Sequence, residues 1–357
     1  MASCLLLSGM FFRCLGCLYN DYIRKMNNEN TKMSMYKIIK ETAKQFAFEP
    51  KIENGGNLHP ALAYVLVGMG GSHLAAGLLK ILKPEIDIII HHGYGLPDIS
   101  AADLKKRLII LSSYSGNTEE VLDAYEKAGE LGLSRVIISI GGKLLELAKK
   151  DKVAYIQMPD FSIQPRSALP LNLKGLLKLT GEDTLLREAG KLQNTFHSEK
   201  FEADGKVLAD KLYGHIPVIY ASEKNHALAY NWKIKFNETG KIPAFYNVLS
   251  ELNHNEMTGF DVKDSTRGLS DKFYFLFLSD SMDHPKIQKR MQITAKLYQD
   301  RGLPTFNVKL SGDNIFHKIF NALSLADFAA YFTAEGYGLE SEQVPMVEEF
   351  KKLISHD

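Results

Sequence analysis

The chain is 357 residues long, 45% apolar and 24% charged, which is ordinary for a soluble globular protein of two domains or one bilobed unit. Its 43 basic side chains are balanced by 42 acidic ones, so charge gives no case for nucleic acid or an anionic membrane surface as partner. The three cysteines, Cys4, Cys14 and Cys17, all precede residue 18, so the body of the protein has no disulfide and no thiolate metal site, a pattern that suits a reducing cytoplasm.

Residues 4–19 are apolar but interrupted by Arg13, too short to span a bilayer and without the basic start of a secretory signal. Cys14 and Cys17 have redox or metal spacing, yet no cluster of His or Cys follows them. Met26, Met33 and Met35 offer later starts, and the stretch from Met33 reads as an opening helix. Residues 1–34 are therefore expected to be a weakly ordered extension or a misplaced start.

From Ala61 strands and helices alternate. Tyr64–Val67 reads as a strand, Gly68-Met69-Gly70-Gly71-Ser72 as a turn, and Leu74–Leu82 as a helix. Further strands are expected at Ile86–His91, Leu108–Ser112, Val136–Ile140 and Ala154–Met158, with a helix over Lys143–Lys149. This βαβ repetition predicts an α/β, doubly wound, mainly parallel sheet with its ligand crevice beyond the carboxyl ends of the strands. The GMGGS turn is not GxGxxG, and the next strand, ending His91-His92, offers no acid for a ribose. Close packing of helix on strand would also account for its glycines.

The organising stretch is Arg107–Glu130. After Leu108–Ser112 come Ser113, Tyr114, Ser115, Gly116, Asn117 and Thr118, and then Glu119 and Glu120 open a helix. Hydroxyl donors from Ser113, Ser115 and Thr118, added to the unpaired first-turn N–H groups, make an anion site. A hydroxyl cap on an ordinary helix explains the turn equally well when it is taken alone. Paired with the glycine-rich turn two units earlier, it favours a small phosphorylated ligand over a dinucleotide.

Residues 162–192 read as mainly helical, with Arg166 in the loop after Pro165. A second α/β lobe follows: strands His215–Tyr220, 244–248, Phe273–Leu278 and Thr305–Lys309, and helices Asn225–Phe236, Ile287–Arg301, Asn314–Glu335 and Met346–Ile354. The expected boundaries are 1–34 for the extension, 35–160 for the first lobe, 161–200 for a helical connector and 201–357 for the second lobe with its terminal helix.

Six segments occur in order: GMGGS at 68–72, SYSGNT at 113–118, IQPR at 163–166, WKIKFNETGK at 232–241, ELNHNE at 251–256 and VPMVEEFKK at 344–352. Together they resemble the bifunctional phosphoglucose/phosphomannose isomerases, built from two sugar isomerase domains. The resemblance spans roughly residues 35 to 357 and implies interconversion of glucose 6-phosphate and fructose 6-phosphate, with mannose 6-phosphate as a further substrate, through a cis-enediol. It implies Glu238 as the base that moves a proton between C1 and C2, and His254 as the group that opens the ring. Arg166 would steady the enediolate, and Lys351, beside Lys352, would reach the site from the C-terminus. Gly71, Ser72, Ser113, Ser115 and Thr118 would hold the substrate, the last three at its phosphate. Taken singly, Glu238 also reads as a solvated helix end, His254 as a loop residue, Arg166 as one half of an ordinary ion pair and Lys351 as a solvated helix residue. Their joint occurrence favours catalysis.

No metal and no cofactor are expected. The implied assembly is a homodimer with His254 supplied across the interface, and the implied setting is the cytoplasm. The rival is a non-catalytic sugar-phosphate sensor using the same pocket, although no helix-turn-helix is appended. The family associates phosphomannose use with a threonine near the last helix. Here no threonine follows Thr333 and Val344 lies nearest, which leaves the mannose reaction open.

Overall fold

A computed structural model describes residues 34–58 and 61–354. The apolar opening stretch, its three cysteines and the start candidates Met26 and Met33 lie outside the described residues. From Met35 onward the chain forms one compact unit.

The first sheet holds β1 (Ala63–Val67), β2 (Asp87–His91), β3 (Leu108–Ser112), β4 (Arg135–Ser139) and β5 (Ala154–Gln157), all parallel, in the order β2-β1-β3-β4-β5. Helices cover both faces of such a sheet, so its inner strands are continuous apolar runs, and every residue of β3 is buried. The elements flanking it are α1 (Met35–Lys40), α2 (Leu74–Leu82), α3 (Glu119–Glu130), α4 (Gly142–Lys150), α5 (Leu169–Leu179) and α6 (Asp183–Thr195). The core beneath α3 and α4 is built from Val65, Ile109, Leu111, Val121, Tyr125, Ile137 and Leu144.

The second sheet follows α7 (Glu202–Leu212). It holds β6 (Ile216–Ser222), β7 (Phe245–Leu249), β8 (Phe273–Asp280) and β9 (Thr305–Leu310), again parallel, in the order β7-β6-β8-β9. Its helices are α8 (His226–Glu238), α9 (Pro285–Asp300), α10 (Ile315–Gly336) and the terminal α11 (Pro345–Ile354). Helix α10 is buried along most of its length against α7 and α8, and α1 joins it through Met35, Ile39 and Phe328. No helix among the described residues is long and apolar enough to cross a membrane.

Each chain path reverses direction beside its first strand. In the first sheet the switch falls between β1 and β3, and in the second between β6 and β8. A crevice opens beyond the carboxyl ends of the strands at such a point. The GMGGS and SYSGNT turns follow β1 and β3, so the topology places them side by side.

Candidate active site

The SYSGNT turn forms a cradle of hydroxyl and amide groups. Ser113 is fully buried; its Oγ shares a 2.8 Å hydrogen bond with Thr118 Oγ1 and accepts one of 3.0 Å from the Gly116 amide. Thr118 stands at the N-cap of α3, but its side chain caps no helix amide, so no side chain spends the first-turn donors of α3. Gly116 has φ +74°, and a Cβ there would lie 1.8 Å from the Gly141 carbonyl oxygen, so only glycine lets the turn close on the loop before α4. Asn117 Oδ1 accepts from the Lys143 amide at 3.0 Å and ties the turn to the first turn of α4. Ser115 is exposed at the tip, its Oγ accepting from the Asn117 amide at 3.3 Å.

Two further turns lock onto this cradle. Ser72 Oγ accepts from the Tyr114 amide at 2.9 Å, while Ser112 Oγ donates to the Ser72 carbonyl at 2.9 Å. A Cβ at Gly71 would lie 2.4 Å from the carbonyl carbon of Pro165 and 2.5 Å from the Arg166 nitrogen. The backbones of GMGGS and IQPR therefore touch with no room for a side chain.

Arg166 is 3% exposed and almost fully engaged. Its Nε donates to Thr239 Oγ1 at 2.9 Å and its Nη1 to Glu238 Oε2 at 3.2 Å, while Nη2 donates to the carbonyls of Ser341 and Glu342 at 3.0 and 2.7 Å. Of the five guanidinium N–H donors, one on Nη1 makes none of these bonds. Burial lowers the guanidinium pKa, opposed by the charges of Glu238 and Asp327; arginine still stays charged at any working pH. Glu238 ends α8 with its side chain one-third exposed, so its carboxylate has one oxygen held by Arg166 and remains open to a ligand. Lys241 donates to the Glu238 carbonyl at 2.6 Å and also to that of Gln343. Behind Arg166, Lys235 pairs with Asp327, whose carboxyl is pushed up by burial.

The arrangement is thus a carboxylate and a fixed cation side by side, linked to the hydroxyl cradle through the Gly71–Arg166 backbone contact and the Ser72–Tyr114 hydrogen bond. The matching place in the second lobe has the opposite chemistry. There the strand ends carry Asp280 and Asp283, joined to Ser222 and Asn225, and Lys318 from α10 donates to Asp280 at 2.7 Å. These acids repel a phosphate, and Lys318 fills the space with an internal cation. Among the described residues, only the first lobe has a hydroxyl cradle at its switch point.

The structure brings together Gly71, Ser72, Ser113, Ser115, Thr118, Arg166 and Glu238. It sets His254 and Lys351 apart: among the described residues neither contacts Arg166, Glu238 or the cradle. His254 ends the 3₁₀ turn Glu251–His254 just after β7, the edge strand of the second sheet, and is exposed. Lys351 is exposed on α11, pairs with Glu348 at 2.7 Å, and belongs to a helix with no buried residue. Sequence reasoning missed Thr239 and Lys241, although both lie inside the WKIKFNETGK segment. The carbonyls of residues 341–343 gave no signal, because a main-chain acceptor carries no residue identity. His73 turns toward its neighbours, its ring 4.2 Å from that of His92 and 5.6 Å from that of Tyr230. Burial first, then the His92 charge, pull its pKa down to about 4.

Comparison with known proteins places the chain in a family. The family model for the bacterial phospho-glucose isomerase C-terminal SIS domain matches residues 201–354. A bifunctional phosphoglucose/phosphomannose isomerase of Aquifex aeolicus (strain VF5) is 32% identical over 324 residues, covering 90% of this chain and 98% of the relative. The chain belongs to the bifunctional phosphoglucose/phosphomannose isomerase family. A second member of that family, from Caldicellulosiruptor bescii, is 30% identical over 340 residues with the same coverage. Among solved structures, a hypothetical protein of Thermus thermophilus superposes with a TM-score of 0.67 at 16% identity, covering 98% of this chain and 97% of that one. At that identity the superposition shows a shared fold alone, and it extends over both lobes of this isomerase-family chain.

Proposed function

We propose that this chain interconverts glucose 6-phosphate and fructose 6-phosphate by proton transfer through a cis-enediol, with mannose 6-phosphate as a slower substrate. The observation that carries this reading is the Arg166–Glu238 pair, 3.2 Å apart, tied to the hydroxyl cradle through the Gly71–Arg166 backbone contact and the Ser72–Tyr114 hydrogen bond. Family membership supports it, since relatives covered almost end to end are named for these two isomerisations.

The cradle holds the 6-phosphate and so fixes the far end of the opened sugar. Glu238 takes the proton from C2 of the aldose; the electron pair moves into a C1–C2 double bond, and the carbonyl oxygen at C1 becomes the enediolate oxygen. Arg166 faces that developing charge with a buried, permanently cationic group. Return of the proton from Glu238 to C1, with transfer of a hydroxyl proton from O2 to O1, gives the ketose. Each proton taken is matched by one given back, part of it exchanged with solvent while it rests on the exposed carboxyl of Glu238, and the reaction is redox-neutral. Before this, the C1–O5 bond of the ring breaks as O5 gains a proton and the anomeric hydroxyl loses one to solvent. His254 is assigned the proton for O5.

A homodimer accounts for the placement of His254. It is exposed beside an edge strand and untied, as a group delivered to a partner's crevice would be. Lys351 would approach on α11, whose lead-in at 341–343 is already held by Arg166 and Lys241. We take residues 35–160, 161–200 and 201–357 as first lobe, connector and second lobe, after an extension over 1–34, and place the protein in the cytoplasm because its cysteines are confined to that extension. Purified protein with chelator present is expected to convert fructose 6-phosphate to glucose 6-phosphate in a coupled assay and to leave unphosphorylated fructose essentially unchanged. Saturable binding of fructose 6-phosphate without turnover would make the chain a sensor.

A further inference from the structure

We infer that Glu256 is a positioning residue for His254, and that the segment 251–256 is a pedestal whose other side chains are tied down so that the imidazole alone stands free. This rests on the reading of His254 as the ring-opening group. The carboxylate of Glu256 reaches down to the second sheet from both its oxygens. Oε1 accepts from Tyr220 Oη and Oε2 from Asn247 Nδ2, each at 2.5 Å. Tyr220 is fully buried in the middle of β6, with its hydroxyl 3.3 Å from that of Tyr298, and Asn247 belongs to β7. Burial, and then the neighbouring Tyr298 and Glu256, raise the Tyr220 pKa, so the phenol remains a donor to Glu256 at any working pH.

The other members of the segment point the same way. Leu252 is fully buried in the core with Phe275 and Tyr298. Asn253 donates to Thr294 Oγ1 of α9 at 2.8 Å. Asn255 accepts from the Glu256 amide at 2.6 Å and donates to Glu251 Oε1 at 2.7 Å. His254 has no side-chain hydrogen bond among the described residues and is exposed. Charge-assisted bonds to a buried phenol and to a side-chain amide are strong and short, and a carboxylate using both oxygens at once fixes the orientation of the turn that carries it. A catalytic group needs that kind of support to hold its geometry within a fraction of an ångström.

Ring opening and closing interconvert the α and β anomers of glucose 6-phosphate, and exchange spectroscopy measures that rate separately from isomerisation. Glu238→Gln should lose isomerisation and keep anomerisation, whereas His254→Ala should lose enzymatic anomerisation. Glu256→Ala is expected to behave like His254→Ala, with anomerisation and kcat reduced at least tenfold while binding of a sugar-phosphate inhibitor changes little. Glu256→Gln, which keeps the acceptor for Tyr220, should recover part of that loss. If His254→Ala retains wild-type anomerisation, the role given to His254 fails. If His254→Ala loses it but Glu256→Ala does not, the positioning inference is overturned. Should Glu256→Ala fail to fold, Tyr220→Phe, which leaves the bond to Asn247 in place, carries the test: an unchanged anomerisation rate there also overturns the inference.

Discussion

Replacing Gly71 by alanine adds one methyl group at the point where two backbones meet, and should disable the enzyme without touching a reacting group. The new Cβ would sit 2.4 Å from the Pro165 carbonyl carbon and 2.5 Å from the Arg166 nitrogen, where ordinary contact begins at 3.4 Å. Relief therefore requires a shift of about 1 Å, and both obstacles are main-chain atoms that cannot swing away as a side-chain tip does. The segment that must move carries Arg166, whose guanidinium is anchored at Thr239, Glu238, Ser341 and Glu342. Displacement of a catalytic group by about 1 Å costs on the order of 100-fold in rate, or about 2.7 kcal/mol of barrier. Overpacking adds about 1–3 kcal/mol of lost stability. Steady-state kinetics should show kcat down about 100-fold with a smaller rise in KM for fructose 6-phosphate, because Ser72, next in the chain, is hydrogen-bonded to the cradle at Tyr114. Gly132→Ala is the control: it has φ +63° but open space around its Cβ position, so it should lose stability and keep kcat. A Gly71→Ala enzyme with wild-type kcat would refute the claim that this contact sets Arg166 against Glu238.

Ser115→Ala removes an exposed hydroxyl from the cradle and should raise KM roughly tenfold to a hundredfold, as loss of one hydrogen bond to a charged group does, with a smaller effect on kcat; titration with a sugar-phosphate inhibitor checks it. His73 is held neutral, with its pKa pulled from 6.5 to about 4. The unfolded chain therefore binds a proton that the folded one refuses, and stability present above pH 6.5 is lost as pH falls toward 4, by as much as about 3 kcal/mol. Thermal melting of His73→Gln should accordingly depend less on pH over that window than melting of the parent. Val344 follows Gln343, whose carbonyl shares Lys241 with the main-chain carbonyl of Glu238, so the backbone before position 344 is tied to the end of the helix that carries the base. Val344→Thr should raise kcat/KM for mannose 6-phosphate relative to glucose 6-phosphate, about tenfold for each 1.4 kcal/mol of new transition-state binding, as read in parallel coupled assays.

The strands of the first sheet were legible because parallel strands covered on both faces are nearly continuous apolar runs, as Leu108–Ser112 and Val136–Ile140 are apart from one serine each. The strand–turn–helix around residues 113–118 was legible because an apolar run stops abruptly at small hydroxyl residues and two glutamates then open a helix. Helix α7 escaped the reading: its buried positions are Gly205, Leu208, Ala209 and Leu212, and two small residues among them give only a weak apolar period. The network around Arg166 escaped for another reason. Two of its partners are carbonyls about 175 residues away, and a third, Thr239, was hidden behind its neighbour Glu238. The acids that close the second lobe, Asp280 and Asp283, also became interpretable only once β6 and β8 were seen to flank its switch point.

The central claim is that Glu238 carries a proton between C1 and C2 in this crevice. Its most direct test is isomerisation of fructose 6-phosphate in D₂O with chelator present, with deuterium at C2 of the glucose 6-phosphate product followed by NMR for the parent and for Glu238→Gln. The parent should place deuterium at C2, and Glu238→Gln should form almost no labelled product while still binding a sugar-phosphate inhibitor. Labelled or unlabelled glucose 6-phosphate formed by Glu238→Gln at the parent's rate would contradict the account.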